Sequence, residues 1–74
     1  MKLSEMRNGQ QGKVRALKGA ERFLDRITSI GITIGCPISI MQNYKKRPVL
    51  VYARDSAIAL DRADCDLIDV EVAR

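Results

Sequence analysis

The sequence predicts a mainly β domain, a small barrel of about five short strands with one short helix between the first and second strands. Three observations carry this. Apolar residues recur with period two along most of the chain, and the period changes to helical spacing only between residues 20 and 30. Five glycines and two prolines break the chain into short runs. Finally, 74 residues are too few for two packed sheets, so short strands joined by tight turns close most easily on themselves. Closure would also remove exposed strand edges, which so short a chain can scarcely cover otherwise.

The elements follow in order. Leu3 and Met6, three apart, suit one helical turn laid against a core. Asn8-Gly9 and Gly12 read as turns, and Lys13 to Lys18 as the first strand, with Val14 and Ala16 facing one way; Gly19 ends it. From Ala20 to Ile30, Phe23, Ile27 and Ile30 fall at i, i+4 and i+7 with Leu24 alongside, an apolar stripe anchored by Phe23 over one end of the barrel. Gly31 suits a left-handed C-cap, and Gly35 a further backbone turn. Pro37 opens a strand in which Ile38 and Ile40 alternate with Ser39 and Met41. Gln42 to Arg47 is a polar, basic loop. Pro48 to Arg54 is a β-rich run, apolar on both faces and hence central. Asp55-Ser56 makes a tight connection to a strand at Ala57 to Leu60. Arg62 to Asp66 forms a short helical turn, and Ile68, Val70 and Val72 alternate with Asp69 and Glu71 in a closing strand. No linker, repeat or low-complexity run divides the chain, so residues 1–74 read as one domain.

Composition narrows the function. The sequence has no histidine, which removes the commonest general acid/base and the commonest transition-metal ligand. No nucleophile–base pair or carboxylate dyad can be assembled, and the phosphate-binding loop of a GTPase is absent, so an enzyme is not expected. No window is apolar enough to span a membrane, and the first residues lack the apolar core of a signal peptide. Two lone cysteines, Cys36 and Cys65, fit a reducing compartment better than a disulfide scaffold. These features place the chain in the cytoplasm, with peripheral residence at the inner membrane face left open.

Charge is uneven. Residues 1–47 carry a net +7 and residues 48–74 a net −3, within an overall +4. The basic excess offers an electrostatic face for an acidic partner. Arg22 and Arg26 project from one side of the helix at i, i+4, and Lys45, Lys46 and Arg47 crowd the polar loop beside Tyr44, read as the one exposed aromatic. These six residues are the candidate partner-binding set. Stacking of nucleic acid would need two or three exposed aromatics among the basic residues, so that use is disfavoured. Cys36 and Cys65, without Cys-x-x-Cys spacing, make an incomplete metal site, and both suit packing better. Asp61, Asp64 and Asp66 lack the glycine and ligand spacing of a calcium loop and read as a solvated turn.

The residues resemble the FeoA family, the small cytoplasmic components of bacterial ferrous-iron uptake. The likeness runs over about residues 2–72. It rests on Lys2-Leu3-Ser4-Glu5-Met6, Gly9-Gln10-Gln11-Gly12-Lys13-Val14, Arg26-Ile27-Thr28-Ser29-Ile30-Gly31-Ile32 with Gly35, Ile58-Ala59-Leu60, and Ile68-Asp69-Val70. The same domain is similar to the C-terminal module of iron- and manganese-dependent repressors. Four turns depart from the family pattern. Gly19-Ala20 replaces a double glycine, Ile34-Gly35-Cys36 a Pro-Gly-Thr-like turn, and Lys45-Lys46-Arg47-Pro48 a Gly-Asp-Pro hairpin. Arg54-Asp55 stands where Arg-Gly is common. The resemblance implies an SH3-like barrel, no catalytic residue, and action with FeoB, a membrane transporter of Fe²⁺ that carries a cytoplasmic GTPase. No cofactor or resident metal is expected. A weakly bound divalent transition metal in a metal-responsive domain is the alternative reading, followed by a basic nucleic-acid-binding barrel; homo-oligomerisation is left open.

Overall fold

A computed structural model describes residues 1–73. A 3-10 turn at Leu3–Glu5 leads into β1 (Gln11–Leu17), α1 (Glu21–Ser29), β2 (Pro37–Gln42), β3 (Val49–Ala53), β4 (Ser56–Leu60), α2 (Arg62–Cys65) and β5 (Ile68–Val72). Five antiparallel strands lie in the order β4-β3-β2-β1-β5, with the longer helix between β1 and β2. The inward positions that period two selects form one core: Val14, Ile38, Ile40, Val49, Val51, Leu60, Ile68 and Val70. Leu3, Met6, Phe23, Ile27 and Ile32 join it from the turn, the helix and the segment after it. Each such side chain is removed almost entirely from water, the dominant favourable contribution in a domain this small.

The sheet differs from the expected barrel in one respect. Its hydrogen-bonded ladder stays open between β4 and β5, so two strand edges remain. At β5 the edge is covered. The Val70 N–H donates to the Met1 carbonyl at 2.8 Å, Lys2 bridges Asp69, and the terminal ammonium reaches the Asp69 carboxylate at 2.9 Å. That hydrogen bond, with the charges of the ammonium, Arg15 and Lys18 in support, holds the Asp69 carboxyl below its ordinary value against the opposing effect of desolvation.

Several local expectations are corrected. β1 begins two residues earlier than the alternation suggested. The Gly9 N–H donates to the Ile40 carbonyl at 2.8 Å and the Ile40 N–H to the Gln10 carbonyl at 2.9 Å, which zips the segment before Lys13 onto β2. Gly12 is therefore a strand residue and not a turn. A Cβ there would overlap the Glu71 carbonyl oxygen and lie 2.7 Å from Val70 Cγ1, so its role is close approach of β1 to β5. The ladder is irregular between Val14 and Ala16, and Ala16 is only half-buried.

Ile30 does not complete the apolar stripe of α1. The helix stops at Ser29, and Ile30, its C-cap, is 42% exposed. Gly31 (φ 100°) donates to the Thr28 carbonyl at 3.0 Å and Ile32 to the Ile27 carbonyl at 3.1 Å, a Schellman motif that carries Ile32 into the core instead.

β3 pairs on both sides, yet only one of its faces is buried: Leu50 is half-buried and Tyr52 is 43% exposed. Tyr44 is thus not the lone exposed aromatic. The β3–β4 connection is Arg54-Asp55, one residue before its expected place. Both residues have positive φ (51° and 61°), the two-residue type I′ geometry, although neither is glycine or asparagine. The Arg54 side chain offsets this cost. Its Nε–H donates to the Gly31 carbonyl at 2.9 Å and its Nη2–H to Thr33 Oγ1 at 3.1 Å, tying the hairpin tip to the end of α1.

Candidate functional site: a basic turn and a helix rim on either side of α2

The polar segment after β2 is a built turn. The Arg47 N–H donates to the Tyr44 carbonyl at 3.2 Å, and Lys46 adopts φ 65°, so the segment reverses around the three cations. Lys45, Lys46 and Arg47 are exposed, and among the described residues none forms an ion pair. Tyr44 is 49% exposed beside them.

Two residues absent from the expected set hold this turn. Asn43 Nδ2–H donates to the Ser4 carbonyl at 3.0 Å and to the Met6 carbonyl at 2.5 Å, while its own N–H donates to Asn8 Oδ1 at 2.7 Å. Arg62, the first residue of α2, reaches back across the turn. Its Nη1–H groups donate to Asn43 Oδ1 at 2.7 Å, the Tyr44 carbonyl at 2.9 Å and the Arg47 carbonyl at 3.1 Å. Nη2–H donates to the Ser4 carbonyl at 3.3 Å. A planar guanidinium with several fixed donors can serve converging carbonyls in this way, and a point-like ammonium cannot. The one sequence signal was an arginine in an otherwise acidic turn.

The other end of α2 meets α1. Asp64 accepts from Arg26 Nη2–H at 2.7 Å, and the Arg26 guanidinium stands 5.7 Å from the centroid of the Phe23 ring. Arg26 is therefore engaged inside the molecule, with its charge met by Asp64. Arg22, one helical turn away, is exposed and forms no ion pair among the described residues. The four-residue helix α2 so links the two candidate groups, the basic turn through Arg62 and the α1 rim through Asp64.

The acidic residues of α2 are dispersed. Asp64 serves Arg26 and Asp66 accepts from the Ser4 hydroxyl. Among the described residues no group of three or more Cys, Asp or Glu side chains is placed to hold a metal ion. Cys36 and Cys65 are both buried and unbonded to each other. The Cys36 Sγ–H has the Pro37 carbonyl at 3.3 Å, and the Cys65 Sγ–H the Leu60 carbonyl at 3.9 Å. Burial above all, with Asp64, Asp66 and Asp61 adding to it against Arg62, pushes the Cys65 thiol up to about 12. The thiolate is the species that alkylates or ligates metal. We expect Cys65 of the folded protein to react with iodoacetamide at pH 8 at least about a hundredfold more slowly than in urea-unfolded chain. Equal rates, read by mass spectrometry, would show the thiol to be accessible.

Compared with known proteins, the chain matches the FeoA domain family over residues 1–72. No curated protein matches it in sequence. Among solved structures it is similar to an iron uptake regulatory protein, FeoA, with a TM-score of 0.94 at 22% identity, covering 99% of this chain and 97% of that one. Iron(II) transport protein A from Clostridium thermocellum gives a TM-score of 0.90 at 27% identity, covering 97% of this chain and 45% of that one. The FeoA of Stenotrophomonas maltophilia, a prokaryotic SH3 domain protein solved in complex with zinc, gives 0.77 at 20% identity, covering 96% of this chain and 89% of that one.

Proposed function

The chain belongs to the FeoA domain family, a non-enzymatic accessory domain of ferrous-iron transport with an SH3-like fold, and from that premise we propose that residues 1–74 act as a single domain that docks on the cytoplasmic GTPase part of an FeoB-type transporter and modulates it. The observation that carries the docking site is the turn at Lys45, Lys46 and Arg47: three exposed cations that form no ion pair among the described residues, presented beside Tyr44 on a scaffold fixed by Arg62 and Asn43. Ordering flexible cations ahead of binding lowers the entropy lost on association, and unpaired charges steer an acidic partner from a distance. Arg22 extends the basic surface, while Arg26 contributes its exposed guanidinium edge from within the Asp64 pair. No helix of the described residues is long and apolar enough to cross a membrane, which fits docking onto the transporter from the cytoplasm.

The test is a titration of this protein against the isolated FeoB cytoplasmic domain at two salt concentrations. Wild type should bind, and more weakly as salt rises. The triple substitution Lys45→Glu, Lys46→Glu, Arg47→Glu should lose at least about tenfold in affinity at low salt, mainly through a slower on-rate, with its melting temperature unchanged. Absence of wild-type binding at either salt would overturn the docking partner. Equal affinity of wild type and variant would move the site elsewhere on the barrel.

A further inference from the structure

We propose that Asn8-Gly9 is a deamidation site that the fold holds shut, opened only when the segment before β1 lifts from β2 and from its anchor at Asn43. The proposal is independent of the transporter reading above.

Asparagine followed by glycine is the pair in which this reaction runs most readily, because glycine has no Cβ to hinder its own nitrogen. The Gly9 nitrogen bonds to Asn8 Cγ and closes a five-membered succinimide ring. The side-chain nitrogen departs as ammonia, taking up the proton that the Gly9 nitrogen loses. Water then opens the ring at either carbonyl and leaves aspartate or isoaspartate, with no change of oxidation state. Both residues are exposed, so water and base reach them. Nothing in the local sequence opposes the reaction.

The structure opposes it in three ways. The Gln10 N–H donates to the Arg7 carbonyl at 3.0 Å across Asn8-Gly9, with Gly9 at φ 83° and Asn8 outside the positive-φ residues. That combination is a type II turn, whose first central residue holds ψ at about +120°. Ring closure needs the Gly9 nitrogen eclipsed with the Asn8 Cβ across the Cα–C bond, and in an L-residue this ψ sets it on the far side. The nitrogen is also engaged, since its N–H donates to the Ile40 carbonyl of β2 at 2.8 Å. The side-chain amide is held as well, because Asn8 Oδ1 accepts the Asn43 N–H at 2.7 Å. Attack requires a rotated peptide, a free nitrogen and a released side chain together, an arrangement that the folded turn excludes.

The gate is local. The Asn43 Nδ2–H groups donate to the Ser4 and Met6 carbonyls and pin the residues just before the turn. On its other side the Ile40 N–H donates to the Gln10 carbonyl at 2.9 Å. Opening breaks these few bonds in an exposed segment while the sheet stays folded, so it costs less than global unfolding. The two products then differ. Aspartate keeps an oxygen for the Asn43 N–H and can return to the turn. Isoaspartate runs the chain through the side-chain carbon, which adds a methylene to the backbone and displaces the Gly9 N–H from Ile40. Either product adds a negative charge against Asn43, two residues before Lys45.

The test incubates the protein in mildly alkaline buffer, folded or unfolded in guanidinium chloride. Mass spectrometry follows the tryptic peptide of residues 8–13, released by cleavage after Arg7 and Lys13. Folded wild type should deamidate at least about tenfold more slowly than the unfolded chain, and its Gly9 amide should be protected from hydrogen exchange. Asn43→Ala, checked for folding by circular dichroism, should speed both Gly9 exchange and deamidation by at least about threefold. Equal deamidation of folded and unfolded chain would overturn the proposal. So would an unprotected Gly9 amide in wild type, or a folded Asn43→Ala protein that deamidates like wild type. The two wild-type measurements decide the matter even where Asn43→Ala does not fold.

Discussion

Gly12→Ala should destabilise this protein by about 3 kcal/mol, one methyl group being enough to force a pair of strands apart. The added Cβ would overlap the backbone carbonyl oxygen of Glu71 and press on Val70 Cγ1 at 2.7 Å. Backbone cannot swing aside as a flexible side chain can. β1 must separate from β5 or Val70 must leave the core, where it is 1% exposed. For a chain of this size, whose whole stability is about 4–11 kcal/mol, that is a large fraction. The melting temperature should fall by about 12–24 °C, read by circular dichroism. Gly9→Ala is the internal comparison. Gly9 has φ 83° but nothing within 4 Å of an added Cβ, so it should cost only the backbone strain, about 1 kcal/mol. If the two variants melted together, or Gly12→Ala melted like wild type, close strand approach at Gly12 would be refuted.

Arg62→Ala should cost about 2 kcal/mol and at the same time loosen the basic turn. The guanidinium serves Asn43 Oδ1 and the Tyr44, Arg47 and Ser4 carbonyls from one place, and an alanine leaves those acceptors to water. Hydrogen bonds from a charged donor are individually worth more than this, but the site is only half-buried and water recovers some of the loss. Two readouts separate the roles. Urea unfolding gives the stability change, and amide exchange at Arg47, whose N–H donates to the Tyr44 carbonyl, reports the order of the turn. Arg62→Lys should recover little, since one ammonium cannot reproduce the planar fork. Exchange at Arg47 unchanged in Arg62→Ala would contradict the tether. If the basic turn docks on the FeoB domain as proposed, affinity should fall with Arg62→Ala although all three cations remain, a sign that their placement matters beside their charge.

Much of the fold was legible because its signals are local. β2 and β5 follow from period two at Ile38, Ile40, Ile68, Val70 and Val72, and α1 from the spacing of Phe23 and Ile27 with Gly31 as stop. What escaped lies where tertiary contacts overrode local preference. Ile30 kept helical spacing yet is exposed, because the Schellman turn at Gly31 sends Ile32 inward. Arg54 and Asp55 take positive φ that glycine or asparagine would signal, and the contacts of Arg54 with Gly31 and Thr33 lie more than 20 residues away. Tyr52 read as buried from its apolar strand, but the sheet buries only the Val49, Val51 and Ala53 face of β3 and turns Tyr52 to water.

The candidate site divides in the same way. The six residues of the candidate set follow from charge, helical spacing and one aromatic, and Lys45, Lys46 and Arg47 are exposed on one turn, as that density of charge requires. Arg26 is different: its side chain is committed to Asp64, a partner 38 residues on. Arg62 and Asn43 went unseen, because the groups they satisfy are mostly backbone carbonyls, which every residue carries and no sequence pattern marks.

By itself, the sequence determined a small β domain with one helix and an uneven charge distribution, and its motifs determined its kinship. Those properties rest on residue type and short-range spacing. The tertiary structure alone decided that the ladder stays open, that Met1 and Lys2 cover its β5 edge, and that one arginine organises the basic turn. Each of these depends on backbone groups brought together from distant regions of the chain, where hydrogen bonding is set by geometry and not by the identity of neighbouring residues.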